Sequence, residues 1–512
     1  MNLLQSLKYT PVELSFGTSG LRGLVTDMTD LECYINAAGF LRFLAEAGEI
    51  KTGDEVYLAG DLRDSTPRIL GAVAKAILDG GYGVEYCGLI PTPALAAYAL
   101  KRQAAGIMVT GSHIPADRNG IKFYKTDGEI LKNDEGAIKQ AVAAVRAQQN
   151  SAGFSESGFD ADGALVQSPA LGNVAVAATS EYVERYVSIF EGVLAGKKVV
   201  LYQHSAVGRD LLLTLFEALG AEVVPVGRSE VFVPIDSENV KPSDAEYFRK
   251  LAKENPGAFA IISTDGDSDR PFVIDETGEF HRGDVLGAVV ANWLQADFAA
   301  YPVSTSDAVD SYLTEKSMGW SHTKIGSPYV IAAMAEKETE GTKRVVGWEV
   351  NGGFLTGSDM EIRGKVLTAL PTRDAAFPIM VALVAALEAG VPVSELFGRL
   401  PQRFSQAGLI DNFPVAVSKE IMVKFGEDTP EVRKELEEFF SAELKFGSVT
   451  EINALDGVRV YFDNGDVAHL RPSGNAPQLR IYSVADSQAR ADEIVELSLA
   501  EPDGIFRRME RS

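Results

Sequence analysis

The chain has 512 residues, 46% hydrophobic and 23% charged, which excludes a disordered protein and exceeds what one hydrophobic core can organise, so three or four domains are expected. Its 48 basic and 72 acidic residues leave a net charge of −24, which speaks against nucleic acid or anionic membrane as partners; an anionic substrate must meet a local basic pocket. The two cysteines, Cys33 and Cys87, cannot form a disulfide framework or a zinc site, no leader pattern opens the chain, and no stretch reaches ~18 uncharged apolar residues, so a soluble, cytoplasmic protein is expected.

The loop Phe16-Gly17-Thr18-Ser19-Gly20-Leu21-Arg22-Gly23 offers Arg22 from a glycine-rich turn. Beyond it, Glu55 to Gly60 reads as a strand, Ser65 and Pro67 open a helix to about Asp79, and Val84 to Cys87 reads as the next strand, a βαβ rhythm. The apolar run Gly106 to Val109 reads as a buried parallel strand. After it, Thr110-Gly111-Ser112-His113-Ile114-Pro115 and Asn119-Gly120-Ile121-Lys122 set a serine hydroxyl among small, turn-forming residues. Ligand sites in open α/β sheets lie just beyond the carboxyl ends of such strands, so Ser112 is a candidate nucleophile; a cap or plain turn residue is the competing reading. The stretch from about Gln148 to Gly172, rich in Gly, Ser and Ala, suits a linker.

A second block repeats the scheme: Lys198 to Tyr202, a helix from about Gly208 to Leu219, Glu222 to Pro225, and Phe259 to Ile262. Ser263-Thr264-Asp265-Gly266-Asp267-Ser268-Asp269-Arg270-Pro271 follows, and its carboxylates at alternate positions, Asp265, Asp267 and Asp269, can converge on one cation. Mg²⁺ suits this hard-oxygen set better than Ca²⁺, because dedicated ligands are few and no glutamate closes a twelve-residue loop; a solvated acidic turn is the alternative. A third block runs from the helix after Arg282 to the Val345-Val346 strand and leads into Gly347-Trp348-Glu349-Val350-Asn351-Gly352-Gly353-Phe354. The carboxylate and amide there, two residues apart, can hold adjacent sugar hydroxyls, while Trp348 reads as a core aromatic. Past a boundary near Pro392 to Gly398, a long charged helix, Pro430 to Lys445, and short strands such as Val458 to Phe462 indicate a separate α+β domain. Its segment Arg471-Pro472-Ser473-Gly474-Asn475-Ala476-Pro477-Gln478-Leu479-Arg480 combines two guanidinium groups with small residues that can line a phosphate nest.

These motifs, in this order, resemble the α-D-phosphohexomutase family, the phosphomannomutases and phosphoglucomutases, over nearly the whole chain. The resemblance implies three tandem α/β domains around a central cleft plus a C-terminal α+β domain, placed here at residues 1–160, 172–280, 281–395 and 400–512. It implies that Ser112 carries the phosphoryl group and joins Asp265, Asp267 and Asp269 around Mg²⁺, and that Glu349 and Asn351 read the sugar. It implies too that Arg471, Ser473, Gly474, Asn475 and Arg480 bind the non-transferring phosphate. Arg22, Lys122 and Arg270 would then stabilise the transferring charge, with Lys122 or His113 handling protons. The implied activity is a phosphomannomutase interconverting mannose 1-phosphate and mannose 6-phosphate through a phosphoserine enzyme and a hexose 1,6-bisphosphate. Phosphoglucomutase or dual specificity is the alternative, and a non-catalytic phosphosugar-binding paralogue a further one. The partner is a small phosphosugar, with neither nucleic acid nor membrane involved and the oligomeric state open. From a different class, a phosphatase would use Asp265 as an aspartyl nucleophile.

The chain departs from the family pattern at identifiable places. Ile114 replaces the asparagine of Ser-His-Asn-Pro. In the sugar loop, Gly-Glu-x-Ser-Gly-His, Trp348 stands for the first glycine, Asn351 for the serine and Gly353 for the histidine, so any role of that histidine is absent or supplied elsewhere. Asn475, Ala476 and Gln478 replace Thr, Glu and Lys of the phosphate loop, while Arg471, Ser473 and Arg480 remain.

Overall fold

The computed structural model describes residues 1–17, 20–472 and 477–512. These form two compact units: Met1–Ala299 with Gly326–Phe397, and Ala300–Ile325 with Gly398–Ser512.

In the first unit, one six-stranded sheet runs in the order Ser15–Phe16, Leu21–Leu24, Arg118–Tyr124, Gly106–Val109, Glu55–Gly60, Gly83–Leu89. The strand Gly106–Val109 is parallel to Glu55–Gly60 but antiparallel to Arg118–Tyr124, so the sheet is mixed rather than all-parallel. All four of its residues are buried, which is why its sequence is a continuous apolar run rather than an alternation. Helices Thr66–Asp79 and Thr92–Leu100 begin with proline in the first turn, where a missing N–H costs nothing. The second sheet orders Phe280–His281, Pro271–Ile274, Ala260–Thr264, Lys198–Tyr202, Glu222–Val226, with the last three parallel. Three further strands, Val345–Trp348, Phe354–Thr356 and Leu370–Asp374, pair antiparallel in that order.

Two readings from composition differ from the structure. The stretch from Gln148 to Gly172 is not a loose linker: its start belongs to the helix Glu135–Ser151, and Phe154, Phe159, Leu165 and Leu171 pack back on the first core. Phe159 lies edge-on to Tyr34 at 5.4 Å, and Asp30 Oδ2 accepts from Leu165 N at 2.8 Å. The charged helix of the second unit is Pro430–Phe439 and stops short of Lys445, because Phe440 leaves helical geometry and turns its ring toward Phe446 and Phe462. That unit otherwise holds a five-stranded antiparallel sheet, Phe404–Asp411, Gln478–Ala485, Val467–Pro472, Val458–Phe462, Val449–Asn453, with helices beside it, an α+β arrangement. No helix among the described residues is long and apolar enough to cross a membrane.

Candidate active site

Ser112 lies just beyond the carboxyl end of the buried interior strand Gly106–Val109, where ligand sites of α/β sheets are found. Its φ of 56° is left-handed, a conformation that costs a serine about 1 kcal/mol or more and must be imposed by its surroundings. Arg63 imposes it. This buried guanidinium donates to the carbonyls of Ser112 at 2.8 Å, Ile114 at 2.6 Å, Pro115 at 2.7 Å and Arg118 at 2.9 Å. Asp61 neutralises Arg63 at 3.2 Å and accepts from the hydroxyls of Thr66 and Thr110, while Thr110 Oγ1 accepts from Ser112 N. Gly111 must lack a side chain, since a Cβ there would lie 2.7 Å from the Arg63 guanidinium carbon.

Ser112 Oγ donates to Asp265 Oδ2 at 2.6 Å. Asp265, Asp267 and Asp269 follow the fully buried strand Ala260–Thr264, are themselves inaccessible to solvent, and bring one oxygen each within 4.8 Å of one another. Lys122 Nζ lies 2.6 Å from both Asp267 Oδ2 and Asp269 Oδ2. Burial, with repulsion from Asp267 and Asp269, raises the Asp265 carboxyl well above the usual range. Burial and Asp269 also oppose ionisation of Asp267, but Lys122 and Thr92 outweigh them and hold it below its ordinary value; Arg373 and Lys122 do the same for Asp269. Asp267 Oδ1 and Asp269 Oδ1 are buried without a hydrogen-bond partner among the described residues. Orphaned carboxylate oxygens in a converging all-oxygen set fit a hard divalent cation.

Arg22, on the strand Leu21–Leu24, is paired across to Gly120 in the strand that carries Lys122. Burial, with repulsion from Arg270 and Arg373, lowers its pKa to about 10. Arg270 Nη1 reaches Asp236 Oδ1 at 2.9 Å and Glu238 Oε1 at 3.5 Å. His113 Nδ1 lies 3.4 Å from Ser112 Oγ, and burial with the charges of Arg270 and Arg22 depresses its pKa far below the ordinary imidazole value, so the ring is neutral.

Glu349 and Asn351 follow the strand Val345–Trp348. Arg373 Nη1 donates to Glu349 Oε2 at 2.6 Å, while its Nε and Nη2 lie 3.0 and 2.8 Å from Asp269 Oδ2. Asn351 spends its amide inside the protein: Oδ1 accepts from Gly353 N and Nδ2 donates to Glu238 Oε1, each at 3.0 Å. Trp348 is fully buried and stacks on Phe354, a core aromatic.

In the second unit, Arg471 and Arg480 are cross-strand partners. Arg471 Nε donates to Asp456 Oδ1 at 3.0 Å, and Arg480 Nε is buried with no partner among the described residues. Ser473, Gly474, Asn475 and Ala476 lie outside the described residues, as do Thr18 and Ser19.

The first unit thus gathers Ser112, His113, Lys122, Arg22, Asp265, Asp267, Asp269, Arg270, Glu349 and Asn351 through segments far apart in sequence. A hydroxyl against a carboxylate set that could hold a cation, ringed by guanidinium and ammonium groups, is an arrangement suited to phosphoryl transfer. Arg63, Arg373, Asp236 and Glu238 escape a reading of the sequence. Asp61-Leu62-Arg63 did carry a signal, since it closes the buried strand Glu55–Gly60 at the same edge as Ser112. Arg373 carried none, because its partners lie 104 and 24 residues away.

Family models described as Phosphoglucomutase/phosphomannomutase match in order: alpha/beta/alpha domain I over residues 13–149, domain II over 180–278, domain III over 282–404 and the C-terminal domain over 420–499. A phosphomannomutase of Sinorhizobium fredii is 42% identical over 489 residues, 95% of this chain and 98% of the relative. A phosphomannomutase of Salmonella muenchen is 41% identical over 490 residues, 95% of each. The solved structure of a phosphoglucomutase/phosphomannomutase family protein from Burkholderia thailandensis matches with a TM-score of 0.69, 21% identity and 96% of each chain covered. Aspergillus fumigatus N-acetylphosphoglucosamine mutase, in complex with GlcNAc-6P and magnesium, matches with a TM-score of 0.54 and 12% identity, covering 99% of this chain and 97% of its own. The structural likenesses establish the fold, and the four domain matches with the two close relatives establish the kinship: the chain belongs to the phosphoglucomutase/phosphomannomutase family of phosphohexomutases.

Proposed function

We propose that the protein is a phosphomannomutase that interconverts mannose 1-phosphate and mannose 6-phosphate, uses Mg²⁺ and works in the cytoplasm. The observation that carries the chemistry is the 2.6 Å hydrogen bond from Ser112 to Asp265, which sets a nucleophile against the carboxylates suited to a divalent cation. The sugar is supported by the relatives at 42% and 41% identity, both phosphomannomutases, and the metal by the magnesium of the Aspergillus complex. Two buried, unpaired thiols, Cys33 and Cys87, suit a reducing compartment.

In this reading, phosphorylated Ser112 passes its phosphoryl group to the 6-hydroxyl of mannose 1-phosphate: the P–Oγ bond breaks, a P–O6 bond forms and the hydroxyl proton ends on Oγ. The 1,6-bisphosphate turns over, the P–O1 bond breaks as P–Oγ forms again, the Oγ proton ends on O1, and mannose 6-phosphate remains. Such transfers depend on positioning and charge neutralisation more than on covalent chemistry. Mg²⁺, held by Asp265, Asp267 and Asp269, would supply neutralisation at the transferring phosphoryl oxygens. Lys122, Arg22 and Arg270 add positive charge, and Lys122 or His113 handles the hydroxyl proton, although the burial and guanidinium charges that keep the His113 ring neutral also oppose its protonation. Glu349 grips adjacent hydroxyls, Asn351 shapes the loop that presents it, and Arg471 and Arg480 take the non-transferring phosphate.

The test is a coupled turnover assay with Mg²⁺ and a trace of hexose 1,6-bisphosphate, comparing mannose 1-phosphate with glucose 1-phosphate by kcat/KM, with Ser112→Ala as control. Preference for mannose supports the proposal, and preference for glucose replaces it with a phosphoglucomutase. Silence with both sugars overturns it. Hydroxylamine separates the phosphatase reading, since it strips an aspartyl phosphate and leaves phosphoserine.

A further inference from the structure

Gly353 precedes Phe354, the antiparallel partner of Asp374, so Arg373 lies diagonally across from it rather than opposite it. A Cβ at Gly353 would lie 2.7 Å from both Cγ and Cδ of Arg373 and 2.9 Å from its Cβ. Such approaches are too close for carbon atoms, so the bare backbone at 353 lets the arginine stem pass. Beyond it the guanidinium bridges two buried carboxylates from different loops. Two of its nitrogens converge on Asp269 Oδ2 and a third donates to Glu349 Oε2. All three residues are buried, Arg373 at 3% exposure, Asp269 at 0% and Glu349 at 6%. The planar fork reaches the two carboxylates through separate nitrogens at a fixed spacing, whereas an ammonium has one nitrogen and reaches both only if they converge on that point, as Asp267 and Asp269 do on Lys122. A buried carboxylate stripped of its partner carries a large desolvation penalty and turns away or takes up a proton.

We propose that Arg373 is a positioning residue that holds the Glu349 carboxylate at a fixed place relative to the Asp265, Asp267 and Asp269 cluster, and that Gly353 is the residue that admits it. The inference rests on the reading of Glu349 as the group that grips the hydroxyls of a hexose phosphate. Arg373 thereby sets where the sugar sits with respect to the phosphoryl-transfer centre. A glycine at position 353 and an arginine at position 373 function as a pair: neither works without the other.

The experiment measures binding without turnover. On a Ser112→Ala background with Mg²⁺, calorimetry gives the affinity for mannose 1-phosphate and, separately, for inorganic phosphate, in Arg373→Lys, Gly353→Ala and Glu349→Gln. KM and kcat on the serine-containing forms and thermal unfolding midpoints accompany them. Arg373→Lys and Gly353→Ala are expected to weaken mannose 1-phosphate roughly tenfold or more while inorganic phosphate stays within about twofold, with KM rising more than kcat falls. Equal weakening of both ligands, or no weakening of either, overturns the proposal. If Glu349→Gln keeps the parent affinity for mannose 1-phosphate, the sugar-gripping reading fails and takes the proposal with it. If Glu349→Gln loses affinity while the other two variants keep it, the proposal alone falls. Gly353→Ala removes no group of its own, so it decides the matter if the Arg373 variant does not fold.

Discussion

Ser112 and Asp265, 153 positions apart, share a hydrogen bond of 2.6 Å in which the serine hydroxyl donates. Ser112→Ala is expected to remove turnover and to leave no phosphoserine by mass spectrometry, with the fold intact. Asp265→Asn keeps the volume but removes a carboxylate from the cation set, and kcat is expected to fall by on the order of 10³-fold. Its unfolding midpoint should hold or rise, because a buried carboxyl raised by burial and by repulsion from Asp267 and Asp269 is a stability cost.

Chelation should separate activity from stability. Asp267 and Asp269 already face Lys122 at 2.6 Å, and Asp269 also faces Arg373 at 2.8 Å, so their repulsion is compensated by the protein's own cations. Treatment with EDTA is expected to abolish turnover, reversibly on adding Mg²⁺, while circular dichroism melting shifts by only a few degrees. A collapse of the melting temperature on chelation would show that the cation is structural.

Arg63 organises the serine loop through four carbonyls and is expected to be more sensitive than any surface arginine. Arg63→Lys keeps the charge but cannot donate to four acceptors, and a loss of roughly 10²-fold in kcat is expected. Arg63→Ala strands Asp61 as an unpaired buried charge, at a cost of about 3–5 kcal/mol in urea unfolding.

Acid should destabilise the fold through two buried histidines. His204 Nε2 donates to the Thr264 carbonyl, its Nδ1 lacks a partner among the described residues, and burial lowers its pKa to about 4. His469, bonded to the Asp456 carbonyl, is lowered by burial to about 3. Below pH ~6.5 the unfolded chain takes up protons that the folded chain refuses, so stability falls with pH through that window, by about 3 kcal/mol for His204 once pH 4 is reached. Neither group contributes at neutral pH or above. Thermal melts from pH 7 to 4 should show this slope, and His204→Asn should flatten it by about one proton.

Much of the fold was legible because several of its central strands are fully buried and therefore largely apolar. The runs at Gly106–Val109 and Ala260–Thr264 announce themselves, and the polar loops after them stand out against such neighbours. Ser112 and the aspartate cluster could be read for that reason. The partners that complete the site could not, because Arg373, Asp236 and Glu238 are charged residues in unremarkable contexts whose meaning arises only when distant segments meet. The end of the helix Pro430–Phe439 escaped for a related reason: helical propensity continues past it, and the pull of Phe440 toward Phe446 and Phe462 is tertiary.

The left-handed backbone at Ser112 restricts which alcohol can stand there. Threonine offers the same hydroxyl, but its β-branch is a steric outlier at a φ of 56°. A Ser112→Thr enzyme would have to unwind the turn held by Arg63 before its oxygen could face Asp265. If Ser112 is the phosphate carrier that the proposed function makes it, the choice between two chemically interchangeable alcohols is made by a torsion angle rather than by reactivity.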